Sequence, residues 1–188
     1  MRKLKLQMQV SLDGFVAGPN NEMDWMTWDW DDQLKEYVAD ITRPVDTIIL
    51  GRVLAEGFIP VWKERSNEAE ADAFTHKMVN DPKVVFTRSL SESPWENTTL
   101  ATGDIAEEVS KLKAQEGGDI VAYGGARLVS ALIKNNLIDE YHLFVNPAAI
   151  GKGKPIFAEL DSKLNLKLIK ANSFSCGINV LCYAPADK

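Results

Sequence analysis

Three short apolar runs, DTIILGR (46–52), DPKVVFTRS (81–89) and DIVAYGG (119–125), constrain this chain more than any other feature. Each is rich in residues of high strand propensity and is apolar on successive positions rather than alternating. That is the pattern of a strand covered on both faces, as in a parallel sheet. Polar linkers and helical stretches lie between the runs: 31–42, a weakly defined 67–80, and 104–116 with Asp104 as its N-cap. The expected core is therefore an α/β sheet with helices on its faces.

The flanks refine this picture. LKLQMQV alternates and predicts an opening strand over residues 4–11, followed by SLDGFVAGPNNEMDW, a Gly-, Asn- and Pro-containing loop long enough to act as a lid. Leu34, Tyr37, Val38 and Ile41 recur at helical spacing, and Pro44 ends that helix. EYHLFVNPAAI, LNLKLIKANSF and INVLCYA read as strands with little helix between them, so antiparallel pairing is expected to finish the sheet. With 188 residues, 45% of them hydrophobic, the chain has the size of one domain, residues 1–188.

Charge narrows the ligands. A net charge of −6 disfavours nucleic acid and anionic membranes as partners. No apolar run is long enough to span a bilayer and no signal peptide opens the chain, which predicts a cytoplasmic protein. Cys176, Cys182, His76 and His142 lack zinc-ligand spacing, so no metal is expected. His142 is expected to be structural.

In an open α/β sheet, ligands bind beyond the carboxyl ends of the strands. The three apolar runs end in GR, TRS and GGAR, setting Arg52, Arg88 and Arg127 beside small residues at one edge. Arginine's planar fork suits phosphate oxygens, and a Gly pair opening a helix leaves backbone N–H groups for an anion. The same Gly pair is also compatible with a tight turn. Neither G-x-G-x-x-G after the first strand nor a P-loop occurs, so an ordinary Rossmann domain and a P-loop enzyme are disfavoured.

In their order, VSLDGFVAGPNNEMDW, TIILGR, VVFTRS and DIVAYGGARLVSALIKNNLIDEYHLFVNPAAIGKGKPIF resemble the dihydrofolate-reductase-like superfamily. Within it, the likeness is to the reductase domain of the riboflavin-biosynthesis enzyme, the RibD C-terminal domain. The resemblance runs from about residue 4 to residue 184. It implies a dihydrofolate-reductase-like three-layer fold, with a mostly parallel central sheet, antiparallel C-terminal strands and flanking helices. It also implies an NADPH-dependent reductase, a homodimer, and hydride transfer to a pyrimidine- or pteridine-type heterocycle. The first candidate substrate is 5-amino-6-(5-phosphoribosylamino)uracil of riboflavin biosynthesis. No H-x-E and C-x-x-C zinc spacing of a fused deaminase is present. The alternative is a non-catalytic NADP-binding sensor or scaffold.

Carried over by position, the resemblance places NADPH against Gly51 and Arg52, against Thr87, Arg88 and Ser89 at the 2′-phosphate, and against Tyr123, Gly124, Gly125, Ala126 and Arg127, with an unusual cis peptide at the glycine pair. Val53 and Leu54 stand where folate-reducing members carry polar residues, and Ala126 where they carry a third glycine. Asp32 is the candidate proton donor, with Asp31 and Asp29 nearby. A carboxylate there also has an ordinary use as a helix cap. Asp13 is the second catalytic candidate and borders the substrate in the riboflavin-type members, although Asp before Gly is also a common turn choice. Trp25, with Trp28 or Trp30, is the stacking candidate for a flat ring, or else packs the lid. Lys152 and Lys154 are candidates for a substrate phosphate, against the alternative of solvated loop charges.

Overall fold

The computed structural model describes residues 1–69 and 71–186. Along the chain it has β1 (Leu4–Val10), α1 (Asp32–Thr42), β2 (Val45–Gly51), α2 (Arg52–Arg65), α3 (Ala73–Asn80), β3 (Lys83–Phe86) and β4 (Thr98–Ala101). There follow α4 (Ile105–Ala114), β5 (Asp119–Gly124), α5 (Ala126–Lys134), β6 (Glu140–Val145), β7 (Leu166–Ser173) and β8 (Asn179–Pro185). One eight-stranded sheet runs in the order β4-β3-β2-β5-β1-β6-β8-β7. The first six strands in that order are parallel, and β8 is antiparallel to both β6 and β7.

Alternation along the strands divides the core into two faces. Leu4, Leu6, Met8, Ile49 and Ala122 meet Val109 of α4 and Leu132 and Ile133 of α5. On the opposite face, Ile48, Leu50, Val85 and Val121 meet Ala55 of α2 and Met78 of α3. Leu34 and Val38 of α1 pack there on Phe144 and Val180. The result is the expected helix–sheet–helix sandwich. Each fully buried aliphatic side chain contributes about 1.5–3 kcal/mol relative to exposure.

Helix starts differ in a way that matters for the site. Asp31, Asp72 and Asp104 cap α1, α3 and α4, accepting from Leu34 N, Thr75 N and Ala106 N at 2.8, 2.7 and 2.9 Å. The N-caps of α2 and α5 are Gly51 and Gly125, which have no side chain to offer, so their first-turn N–H groups lack a capping acceptor. Among the described residues, no helix is long and apolar enough to cross a membrane.

Candidate functional site

Because β2, β3 and β5 are parallel and adjacent or nearly so, their carboxyl ends lie at one edge of the sheet. There a cleft of about 2070 Å³ opens. It exceeds the roughly 300–1,000 Å³ that one small ligand occupies, leaving room for two.

Gly51, Arg52, Thr87, Arg88, Ser89, Tyr123, Gly125, Ala126 and Arg127 all line this cleft. The tips of β2 and β5 approach closely: a Cβ on Gly51 would lie 3.2 Å from Gly125 N, and one on Gly124 would lie 3.3 Å from Leu54 Cδ2. The Gly124–Gly125 peptide is cis, and Gly124 has φ +132°. After β3, the Thr87 hydroxyl accepts from Ser89 N and Leu90 N at 3.1 and 3.3 Å, folding the turn that presents Arg88. Arg88 and Arg127 are exposed and form no ion pair or side-chain hydrogen bond among the described residues. Arg52 pairs with Glu56 one turn along α2.

The other wall comes from the loop after β1. It is held in place by the loop after β6: Val16 N donates to Lys154 O and Lys154 N to Ala17 O, at 3.0 and 2.8 Å. Gly153 permits this approach, since a Cβ there would collide with Ala17 O. Asp13 is part of the same fastening. Its carboxylate accepts from Ser11 Oγ at 2.6 Å, Gly151 N at 2.7 Å and Ile150 N at 3.1 Å. The Ser11 hydroxyl, followed by these backbone N–H groups, holds its pKa below the ordinary carboxylate value.

The remaining candidates are placed unevenly. Asp32 projects into solvent, with Lys35 at 3.8 Å as its ion-pair partner, and does not line the cleft. Asp31 beside it caps α1 and also receives Ser175 Oγ and Cys176 N, so its carboxyl falls to about 2, led by the Leu34 N–H. Trp25 donates its indole N–H to Glu22 O at 3.2 Å and lies outside the lining, whereas Trp28 and Trp30 line the cleft and stack at 6.2 Å. Lys152 is outside and Lys154 inside the lining. His142 is buried, its Nδ1 2.8 Å from the Tyr37 hydroxyl, away from the cleft.

Gln7 and Gln9 on β1 also line the cleft, and sequence reasoning did not single them out. The alternation in LKLQMQV was the available signal: it sets Lys5, Gln7 and Gln9 on one face of what proves to be a central strand. Tyr123 places its ring against Phe58 at 5.5 Å, and its hydroxyl is buried without a partner. Burial, then the nearby Asp81 charge, raises that phenol far above its usual range.

A parallel α/β sheet finished by an antiparallel pair, with a cleft at the strand tips and a cis glycine pair opening a helix, is the dihydrofolate-reductase-like arrangement. Residues 2–180 match the RibD C-terminal domain family, and the chain belongs to that family. It is 36% identical over 186 residues to the uncharacterized protein YyaP of Bacillus subtilis (strain 168), covering 97% of this chain and 94% of that one. Its fold is similar to the crystal structure of a Shewanella sp. PV-4 protein named for riboflavin biosynthesis, with TM-score 0.74, 22% identity, and 98% and 99% of the two chains covered. It is also similar to the diaminohydroxyphosphoribosylaminopyrimidine deaminase/5-amino-6-(5-phosphoribosylamino)uracil reductase of Thermotoga maritima. That match has TM-score 0.69 and 17% identity, and covers 98% of this chain and 57% of the Thermotoga one.

Proposed function

We propose that this protein is an NADPH-dependent reductase acting on a pyrimidine- or pteridine-type heterocycle, with 5-amino-6-(5-phosphoribosylamino)uracil as the first substrate to test. The observation that carries the reading is the convergence of Arg52, Arg88, Arg127 and the Gly51/Gly125 approach on one cleft.

The residues present fit this cofactor. Two helices start at the cleft with glycine caps, so unpaired N–H groups and the positive helix ends face the position of a pyrophosphate. Arg88 and Ser89, exposed at the β3 tip, suit the 2′-phosphate. Bound there, NADPH supplies a hydride; the protein supplies placement and exclusion of water. The fastened loop after β1 forms a fixed wall over the cleft, and Trp28, exposed and backed by Trp30, which itself stacks on Phe144, offers a flat face to a heterocycle. The reading extends to a cytoplasmic homodimer.

A second reading, an NADP-binding protein without turnover, is favoured by one observation. Of the two proposed carboxylates, Asp32 faces solvent and Asp13 is committed to backbone N–H groups. Loss of NADPH absorbance at 340 nm, tested over a panel of pyrimidines and pterins, separates the two. Turnover with at least one compound supports the reductase, and tight binding with no oxidation of any supports the sensor.

A further inference from the structure

Helix α2 turns one face to the cleft: Val53, Leu54, Gly57, Phe58, Val61 and Trp62 all line it. Leu54, Phe58 and Trp62 are partly buried because they pack on the core at that side of the sheet, Phe58 against the Tyr123 ring at 5.5 Å. Val53, Gly57 and Val61 have no such cover. They follow one another at intervals of four residues, so they form a single stripe about 12 Å long. Val53 and Val61 are 60% and 45% exposed, and Gly57 between them is exposed too. A lone exposed valine is ordinary, but an apolar stripe turned into a cleft marks a surface that a ligand covers.

Gly57 supplies the second observation. A glycine inside a helix weakens it relative to alanine, and the fold gives no reason for this one. Its φ lies outside the left-handed region, and a Cβ built on it would meet no atom within 4 Å. Gly51 and Gly153 in the same cleft differ, since a Cβ there would press on Gly125 N or collide with Ala17 O. The space over Gly57 is therefore open to the cleft, and whatever fills it comes from outside the chain. The stripe also carries no charge. Arg52 at the start of α2 is paired with Glu56, and Arg65 at its end lies over the Trp62 ring at 5.2 Å. Trp28, 59% exposed, adds further apolar surface to the cleft.

We infer that the Val53–Gly57–Val61 stripe is a subsite for an uncharged apolar substituent of the substrate, an aryl or branched alkyl group lying against the helix backbone at Gly57, and that Gly57 sets the size of group admitted. The inference rests on the reading of the cleft as a cofactor-plus-substrate site and narrows its substrate to one that carries such a group. A polyol or phosphorylated chain is disfavoured on this stripe, because its oxygens would give up water against valine methyls without gaining a partner.

The test uses 6-(benzylamino)uracil and 6-(ribitylamino)uracil, which share a ring and differ in an apolar against a polar substituent. Each is titrated by calorimetry into the full chain saturated with NADP⁺, which cannot reduce it. The wild type is expected to bind the benzyl compound about tenfold or more tightly than the ribityl one, as burial of an aryl group requires. Gly57→Val sets branched carbons where the aryl group would lie. It is expected to abolish that preference by weakening the benzyl compound alone, with NADP⁺ affinity unchanged. Val61→Thr, nearly the same shape with a hydroxyl in place of a methyl, is expected to reduce the preference in the same direction. Gly57→Ala is expected to raise the ligand-free Tm by about 2–4 °C, because alanine favours the helix and fits the open space; a glycine that the fold needs beside Pro60 would give a fall instead. Retention of the wild-type preference in Gly57→Val overturns the inference, as does a fall in the Gly57→Ala Tm or an equal loss of both probes and NADP⁺ in Gly57→Val. A wild type that binds NADP⁺ but does not prefer the benzyl compound also overturns it. Failure of the wild type to bind NADP⁺ instead overturns the cofactor reading beneath it.

Discussion

Arg88 stands on a turn shaped by Thr87 and has no side-chain partner among the described residues, so its guanidinium is available to a ligand. Arg88→Ala is expected to weaken NADPH by about ten- to a hundredfold, the equivalent of one hydrogen bond to a charged group at roughly 1.5–3 kcal/mol, and to leave NADH unchanged. Fluorescence titration of both nucleotides checks this. Gly124 sits at φ +132°, where an L side chain is strained, and its Cβ would press on Leu54. Gly124→Ala is therefore expected to destabilise the protein by about 1–3 kcal/mol in denaturant melts. The meeting of the strand ends at one cleft was legible in the sequence, because GR, TRS and GGAR each join a small residue to a strand end. Side-chain direction was less so. Asp32 and Trp25 carry suitable chemistry at suitable spacing, yet a shift of one residue separates Asp32 from Asp31, and a shift of three along the loop separates Trp25 from Trp28. Gln7 was overlooked because a polar residue in an alternating strand normally marks a solvated face.

At the scale of elements, α1 depends on one carboxylate. Asp31 caps the helix and also binds the turn before β8 through Ser175 and Cys176. Its folded pKa of about 2 lies below the unfolded value of about 3.9, so its contribution is complete above pH 4 and disappears as the pH falls through 2. Asp31→Ala is expected to lower Tm at pH 7 and to have little effect near pH 2, as followed by circular dichroism. Most elements were predictable because caps and periodicity agreed: α1, α4, α5 and the strands of the last third stand close to where the pattern sets them. Two were not. α2 contains Gly57 and Pro60, both signals of a break, but it continues from Arg52 to Arg65 because Ala55 and its neighbours pack on β2 and β3. β4 is a four-residue edge strand, TTLA, with only Ala101 buried, too short and too polar to stand out.

For the whole molecule, the sheet ends on β7, an exposed edge strand on which Leu168 and Ile169 are 51% and 57% exposed. An apolar open edge favours pairing with a second copy. Sedimentation is expected to show twice the 20.9 kDa chain mass, and Ile169→Lys is expected to shift the protein toward the single-chain mass. The central claim concerns the other side of the sheet, where strands distant in sequence bring their tips to one cleft. A crystal structure grown with saturating NADP⁺ tests it most directly. The pyrophosphate is expected against the start of α5 with Arg52 or Arg127, and the 2′-phosphate at Thr87–Ser89. A nucleotide ordered elsewhere on the surface, or no nucleotide in the cleft at saturation, would contradict it.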